Sequence, residues 1–175
     1  MGKSFDLVVI GAGPAGISAA LAASSAGLHV AVVEEHFAPG GQVWRGADGP
    51  AARMWRRLPG VTAREVSRFL TCFRDSDIRL FSQSQAGEVT YSGQVLVTNV
   101  DGDAFTLTER KTILATGAQE RTVPFRGWTL PGVMTVGAGQ ILLKSSGVVP
   151  REPVWLAGHG PLIELYAAQL LAAGG

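Results

Sequence analysis

A glycine-rich segment near the start of the chain constrains its fold more than any other stretch. It reads FDLVVIGAGPAGISAALAASSAGLHVAVVEE: an apolar strand, a glycine turn, an alanine-rich helix and a second apolar strand that ends in acid. Gly11, Gly13 and Gly16 have the G-x-G-x-x-G spacing, and Glu34 follows Gly11 by 23 positions, close to the roughly 20 typical of a dinucleotide-binding βαβ unit. The segment therefore predicts a dinucleotide site on a Rossmann-like α/β fold with a parallel sheet.

Each residue of this segment has a distinct physical role in such a unit. Gly11 permits the sharp turn out of the strand, Gly13 leaves room for a pyrophosphate, and Gly16 lets the helix lie close to the sheet. Pro14 stands in the first helical turn, where its missing N–H would have no helical partner. The other free N–H groups and the helix dipole favour phosphate. Glu34 is placed to accept hydrogen bonds from the ribose hydroxyls and disfavours a 2′-phosphate, which leaves FAD and NAD open.

Composition excludes several classes of function. The chain has 175 residues, is 46% apolar and carries a net charge of +1, so it has no broad field for nucleic acid or an anionic membrane. Cys72 is its one cysteine, which rules out an internal disulfide, a C-x-x-C redox motif and a cysteine-based zinc cluster; in a helical pattern we expect it to be buried. Asp6 interrupts the apolar run that a signal peptide would need, and no stretch suits a bilayer span. We expect a cytoplasmic protein without a metal site.

The segment after the second strand predicts a loop over residues 36–50 because it is rich in glycine and proline. Gly40 and Gly41 permit close approach of the backbone to a ligand, and Gln42 and Arg45 offer donors to a phosphate or a flavin carbonyl. A flexible connection without a ligand accounts for the same residues equally well.

The middle of the chain changes from a helical pattern to a strand pattern. Residues 62–73 have apolar side chains at helical spacing, which predicts a helix with one buried face formed by Val66, Phe69, Leu70 and Phe73. Residues 78–107 have short alternating segments separated by turns, with Asp101-Gly102 the clearest turn, and predict an antiparallel β-meander.

The stretch KTILATGA, residues 111–118, is the second informative segment. We expect Ile113 and Leu114 to end a buried strand. Ala115, Thr116 and Gly117 then form a small-residue turn, which permits close contact with a dinucleotide that the first glycine turn already holds.

Several motifs together resemble a known family. VVIGAGPAG, the Gly-Gly-Gln after the second strand, ATGA after the meander and GWTLPGVMT resemble the two-dinucleotide-binding-domain flavoproteins. The combination of GGQVWR, ATGAQERTVPFRGWTLPGVMT and GHGPLIELYAAQLLAAG is most similar to the FAD-type subunit shared by hydrogen cyanide synthase, opine oxidases and related amine or proline dehydrogenase complexes. The resemblance covers nearly the whole chain.

The resemblance implies FAD as cofactor and a role for each matching position. The pyrophosphate would contact the glycine turn, the ribose would contact the acids after the second strand, the middle of the cofactor would face the Gly-Gly-Gln segment, and the A-T-G turn would close over it. In that order the residues are Gly11, Gly13, Pro14, Ala15 and Gly16; Glu34 and Glu35; Gly40, Gly41, Gln42 and Arg45; and Ala115, Thr116 and Gly117.

The resemblance also implies a function. It suggests a flavin-dependent oxidoreductase subunit in a hetero-oligomeric complex with other flavoprotein subunits, acting on a small amine or amino acid. Substrate oxidation in such complexes is commonly assigned to a separate subunit, so we name no catalytic residue.

The last element repeats the first in shorter form. Residues 136–143 predict the start of a helix, and Val154–Ala157 predicts a strand before the turn Gly158-His159-Gly160-Pro161 and a helix from Leu162 to Ala173. Ile163 replaces the third glycine of the pattern. Gly158, Gly160 and Pro161 are therefore candidates for a second nucleotide site, with NAD expected first and an ATP-like ligand as the alternative.

The ending of the chain sets the expected domain organisation. We expect an FAD-binding domain over residues 1–150, with its meander at about 78–108, and the truncated start of a second nucleotide-binding domain over residues 151–175. A βαβ unit needs a strand after its helix, and the resemblance implies a later return of the chain to the flavin. The sequence thus predicts a fragment that binds FAD poorly and is inactive alone.

Two other functions remain open at this stage. One is a noncatalytic nucleotide-binding scaffold subunit, of NAD or ATP type, in such a complex. The other is a pyridine-nucleotide disulfide reductase, against which the missing C-x-x-C argues.

Overall fold

The computed structural model describes residues 3–47, 49, 52–60 and 63–175. These residues confirm the predicted Rossmann-like α/β fold: parallel strands alternate with helices, and a meander is inserted. In chain order the elements are β1 (Lys3–Ile10), α1 (Pro14–Ser25), β2 (Val30–Val33), α2 (Ala52–Trp55), α3 (Ala63–Arg74), β3 (Arg79–Phe81), β4 (Ser84–Thr90), β5 (Gln94–Asn99), β6 (Ala104–Leu114), α4 (Val136–Ser146) and α5 (Pro161–Ala173). No helix in these ranges is long and apolar enough to cross a bilayer.

The chain forms two compact units. Unit 1 comprises the described residues of Met1–Trp44 and Arg68–Gly117, and unit 2 comprises those of Arg45–Ser67 and Ala118–Gly175. All six strands belong to unit 1, whereas α4 and α5 belong to unit 2. The predicted division near residue 150 remains a prediction.

The sheet of unit 1 has the strand order β3-β2-β1-β6-β5-β4. The first four strands are parallel, and β6, β5 and β4 form the antiparallel meander. Strand β6 belongs to both parts: Thr108 pairs with Ser4 of β1 on one edge and with Gln94 of β5 on the other. One apolar core joins the two parts, formed by Phe5, Val8, Ala31, Val33, Val95, Val97 and Leu107.

Two strand predictions in this region are wrong. The segment at residues 78–82 is not part of the meander, because β3 pairs in parallel with β2; local alternation does not reveal which strand is the neighbour. Ile113 and Leu114 are 38% and 70% exposed rather than buried. They lie beyond the last residue of β6 that pairs with β5, so a neighbouring strand lies on only one side of them.

The predicted turns and the predicted helix before the meander are largely confirmed. Gly102 has a positive φ of 86° and donates its N–H to the Asn99 carbonyl at 3.1 Å, as a tight turn at Asp101-Gly102 requires. Helix α3 buries Val66, Leu70 and Phe73, but Phe69 is 41% exposed. The expectation that Cys72 is buried is wrong, since its position on α3 faces solvent.

Three predicted positions lie outside the described residues. Asp48 and Pro50 of the expected loop and Thr62 at the expected helix start belong to this group. Residues 36–47 contain neither helix nor strand, as the loop prediction requires.

Unit 2 contains a small helical core. Leu143, Tyr166 and Leu170 form its centre, with Met54 and Leu58 packed against them. Both predicted helices are present as α4 and α5. The strand expected at Val154–Ala157 is absent, because a strand requires a neighbour to complete its hydrogen bonds and no described strand pairs with this segment.

A buried polar chain holds the helices of unit 2 together. Gln140 on α4 donates from Nε2 to Gln169 Oε1 on α5 at 2.8 Å, and Gln169 Nε2 donates to the Pro59 carbonyl at 3.1 Å. Thr135 caps α4 by accepting the Ala138 N–H. These bonds satisfy polar groups that would otherwise be buried without partners.

Burial of Lys144 makes the stability of the chain dependent on pH. Its side chain is 5% exposed in the last turn of α4, and burial lowers the pKa of its ammonium from 10.5 to about 8. The folded chain therefore loses this proton before the unfolded chain does. The free energy of unfolding should rise as the pH increases from about 8 to 10.5. Below pH 8 the buried ammonium of Lys144 should destabilise the folded chain to its full extent.

We expect Lys144→Met to remove this rise, as measured by urea denaturation across that pH range. Lys111→Met is the matched control, because Lys111 is exposed. Equal pH slopes in Lys144→Met and the wild type would contradict the assignment.

Candidate dinucleotide site

The first glycine turn is tightly packed against the sheet. Gly11 has a positive φ of 102° and donates its N–H to the Val33 carbonyl at 2.8 Å. A Cβ at Gly11 would collide with the Ala115 carbonyl oxygen, and a Cβ at Gly16 would collide with the Gly11 carbonyl oxygen. Both positions therefore require glycine for reasons internal to the protein.

Gly13 differs from its two neighbours in the motif. Its φ is −75°, which any residue adopts, and an added Cβ would touch only the Gly41 Cα, at an ordinary 4.0 Å. The fold therefore leaves open the space that a side chain here would fill. Packing within the described residues therefore does not explain why this position is glycine.

The same residue begins helix α1. Gly13 is the N-cap, Pro14 occupies the first turn, and no described side chain caps this end of the helix. The first N–H groups of a helix have no partner within it, so Ala15 and Gly16 present donors beside the open space, at the positive end of the dipole. Gly13 and these donors form a cradle suited to phosphate.

Glu34 lies directly behind this turn. It is 5% exposed. Its Oε2 accepts the Ala12 N–H at 2.6 Å, and its Oε1 accepts the His36 N–H at 2.9 Å. The predicted ribose carboxylate thus also fixes the backbone of the glycine turn. A carboxylate has about four acceptor positions, so Glu34 can still accept a hydroxyl.

The Gly-Gly pair packs on the turn as well. Gly40 donates its N–H to the Ala12 carbonyl at 2.7 Å. Gly41 has a φ of 56°, and a Cβ there would lie 2.9 Å from the Gly13 Cα. Close approach to the glycine turn therefore favours glycine at position 41, whereas at position 40 the positive φ of 122° favours it. Gln42 is exposed and Arg45 is the first residue of unit 2; their contacts with a cofactor remain predictions.

The A-T-G segment meets the other side of the turn. Ala115 donates its N–H to the Ile10 carbonyl at 2.8 Å, and its own carbonyl lies against Gly11. Thr116 and Gly117 are exposed, with Gly117 at a positive φ of 77°. The structure thus brings this segment to the turn as expected. Glu35 has an exposed side chain beside Glu34.

Two residues near Glu34 were not predicted from the sequence. Ala12 is completely buried and links Glu34 to Gly40 through its N–H and carbonyl. His36 contacts the Glu34 carboxylate with both its backbone N–H and its ring. The role of Ala12 comes from its main chain, which residue type does not reveal. For His36, the two preceding acids in the sequence were a visible signal.

The second glycine turn is less suited to phosphate. Gly158 and Gly160 have positive φ values of 137° and 112°, and Pro161 begins α5. However, the Ile163 side chain lies where a Cβ at Gly158 would approach it at 2.9 Å, and Glu164 is an acid in the first turn of the helix. That acid already complements the helix dipole and would repel an anion.

The described residues contain no group of three or more His, Cys, Asp or Glu side chains that could hold a metal ion. The chemical resources of the first turn are therefore backbone donors, one buried carboxylate and open space beside Gly13.

Comparisons with known proteins give a family match and several relatives. A model of the family described as pyridine nucleotide-disulphide oxidoreductase matches residues 5–148. The chain is 43% identical to an opine oxidase subunit from Agrobacterium tumefaciens (strain Ach5), over 97% of this chain and 35% of that protein. It is 37% identical to the hydrogen cyanide synthase subunit HcnB from Pseudomonas protegens, over 98% of this chain and 37% of that protein.

A solved structure also matches this chain. The crystal structure of L-proline dehydrogenase from P. horikoshii matches 81% of this chain and 28% of its own, with a TM-score of 0.64 and 26% identity. The chain thus spans about a third of the length of the curated relatives it matches.

The glycines should separate into two classes on substitution. Gly16→Ala should destabilise the chain by about 1–3 kcal/mol, because the methyl group collides with the Gly11 carbonyl. Gly13→Ala should cost less than about 1 kcal/mol, the scale of changing an N-cap residue. Thermal and urea denaturation measure both, and a larger loss for Gly13→Ala than for Gly16→Ala would contradict the packing described above.

Replacing Glu34 by glutamine should loosen the turn. An amide side chain has one acceptor oxygen, whereas the N–H groups of Ala12 and His36 use one carboxylate oxygen each. We expect amide hydrogen exchange at one of these two positions to accelerate by about tenfold. Glu35→Gln, which alters an exposed neighbour, serves as the control, and unchanged exchange at both positions would contradict the bracing role.

Proposed function

Because the chain belongs to the pyridine nucleotide-disulphide oxidoreductase family, we propose that it supplies the FAD-binding part of a flavin-dependent oxidoreductase subunit. The observation that carries this proposal is the open space beside Gly13 at the uncapped start of α1. Packing within the protein explains the glycines at positions 11 and 16 but not the one at position 13.

The residues present fit the adenosine and pyrophosphate parts of FAD. The N–H groups of Ala15 and Gly16 would bind the pyrophosphate over Gly13, and Glu34 would accept a ribose hydroxyl. The acid at position 34 favours an unmodified ribose over a 2′-phosphate, which suits FAD. Thr116 and Gly117 would lie over the cofactor from the A-T-G segment.

Bound FAD would supply the redox chemistry by accepting an electron pair from a partner flavoprotein subunit and passing it on. The protein residues would hold the cofactor and fix its orientation. We assign no acid or base to this chain, and substrate oxidation would take place in a separate flavoprotein subunit.

The names of the relatives support a class of substrate. The relatives from opine oxidase and hydrogen cyanide synthase are both subunits by name, and the structural relative is an L-proline dehydrogenase. We therefore propose that this chain serves a hetero-oligomeric complex that oxidises an amine, an opine or glycine, with other flavoprotein subunits as partners. Because the chain spans about a third of those relatives, substrate and partners are proposals throughout.

Intramolecular dithiol chemistry is excluded despite the description of the family. The sequence contains a single cysteine, Cys72. Reduction of a substrate disulfide by a C-x-x-C pair requires two thiols. Membership therefore indicates the nucleotide-binding fold rather than disulfide reduction within this chain.

The second glycine turn remains a weaker proposal. The family description supports a pyridine nucleotide, so NAD is the proposed ligand at Gly158, Gly160 and Pro161. Nothing in that description supports ATP. Ile163 and Glu164 weaken phosphate binding there.

These same two residues favour a second candidate function. A chain that binds one nucleotide firmly and a second one poorly would suit a noncatalytic scaffold role in such a complex.

When it is purified together with its partners, a flavin-linked chain should be yellow and lose that colour when an amine or opine is added. A colourless, nucleotide-containing chain would overturn the flavin assignment and support the scaffold.

Binding to the chain itself tests the placement of the site. In calorimetric titrations we expect the wild type to bind ADP and to bind FAD weakly. Gly13→Val should lose both, because the side chain fills the open space. Glu34→Ala should weaken both through the ribose. Ala22→Val is the control, since Ala22 is exposed on the second half of the same helix. Unchanged binding in both site variants would refute the placement.

A further inference from the structure

His36 contacts the ribose carboxylate more extensively than any other described residue. Its backbone N–H donates to Glu34 Oε1 at 2.9 Å, and its ring Nδ1 lies 3.2 Å from the same oxygen. The ring Nδ1 also lies 3.5 Å from Glu35 Oε1. One imidazole thus stands between two carboxylates.

Residues at the junction of β3 and β4 hold the backbone around His36 in place. Gln83 donates its N–H to the His36 carbonyl at 3.0 Å, and Ser84 donates to the Glu34 carbonyl at 2.9 Å. Gln83 has a φ of 50°, and it is the one described residue other than glycine with positive φ. A non-glycine residue in this conformation carries strain, and the contacts that it accompanies hold the backbone of Glu34 and His36 in place.

The contacts of Glu34 divide its two oxygens between different tasks. Oε1 accepts the His36 backbone N–H and lies 3.2 Å from its ring Nδ1, whereas among the described residues Oε2 accepts only the Ala12 N–H. Each carboxylate oxygen has about two acceptor positions, so the remaining capacity lies on Oε2. His36 thereby fixes which oxygen can accept a ribose hydroxyl. Nδ1 donates when it carries a proton, which is the case in the imidazolium and in the Nδ1–H tautomer of the neutral ring.

We propose that His36 is a positioning residue that holds the Glu34 carboxylate for a ribose hydroxyl, and so makes the site selective for ribose over deoxyribose. The proposal rests on the function proposed above, because it concerns the same nucleotide site. His36 acts through Glu34 and need not touch the ligand.

The selectivity can be measured with two nucleotides. ADP carries the ribose hydroxyls and 2′,3′-dideoxy-ADP lacks them, while the adenine and diphosphate are the same. We expect the wild-type chain to prefer ADP, and His36→Ala to reduce this preference by about fivefold, the scale of one hydrogen bond. Calorimetric titration of the full chain with each nucleotide gives the ratio of dissociation constants.

Two further variants separate positioning from a general effect on the fold. His36→Asn keeps a side-chain donor near the position of Nδ1 and should restore the preference. Phe37→Ala is the control, because it removes the adjacent ring, which is 79% exposed, and should keep the wild-type preference. If His36→Ala does not fold, His36→Leu keeps the bulk without the donor and takes its place.

The outcomes distinguish this inference from the proposed function. A preference for ADP that is equal in His36→Ala and the wild type, or equal weakening of both nucleotides, overturns the positioning role alone. Absence of FAD and ADP binding in the wild type overturns the proposed function and this inference with it.

Discussion

The hydrogen bond from the Ala12 N–H to Glu34 Oε2, 2.6 Å long, ties the parts of unit 1 together where the strands end. Isolated burial of a carboxylate is costly, and it is tolerated only when donors satisfy it. Here the donors come from the glycine turn and from the residues that follow β2. The carboxylate that holds the turn is thus the same one that we propose accepts a ribose hydroxyl.

This arrangement explains why the turn has so little freedom. The carbonyl of Ala12 accepts the Gly40 N–H while its N–H is held by Glu34, and the Ala115 carbonyl closes the other side against Gly11. Two stretches of sequence, one at residues 34–40 and one at Ala115, therefore fix one loop of backbone. A loop fixed before its ligand arrives has less conformational entropy to lose on binding.

Sequence reasoning succeeded where local pattern determines structure. The glycine spacing and the apolar runs predicted β1, α1 and β2, and the helical periodicity predicted α3, α4 and α5. It failed where the neighbour decides: β3 alternates like a meander strand but pairs with β2, and Leu114 is apolar but lies beyond the cover of β5. Cys72 fell on the exposed side of its helix. At the site, residue types indicated Glu34, and two neighbouring acids were a signal for His36, whereas the main-chain role of Ala12 appears only in three dimensions.

Strand β6 has a consequence for the order in which unit 1 can form. Strand β1 pairs with β6 across about a hundred residues of sequence, and β6 also closes the meander. During synthesis, β1 therefore emerges long before its partner, with one edge unpaired and open to wrong neighbours. Contacts so distant in sequence slow folding, and a register slip in β6 would turn its side chains to the wrong face on both edges at once. Strand β6 thus pairs with both halves of the sheet. The glycine turn can therefore adopt its final conformation only after β6 has been synthesised and has paired with β1.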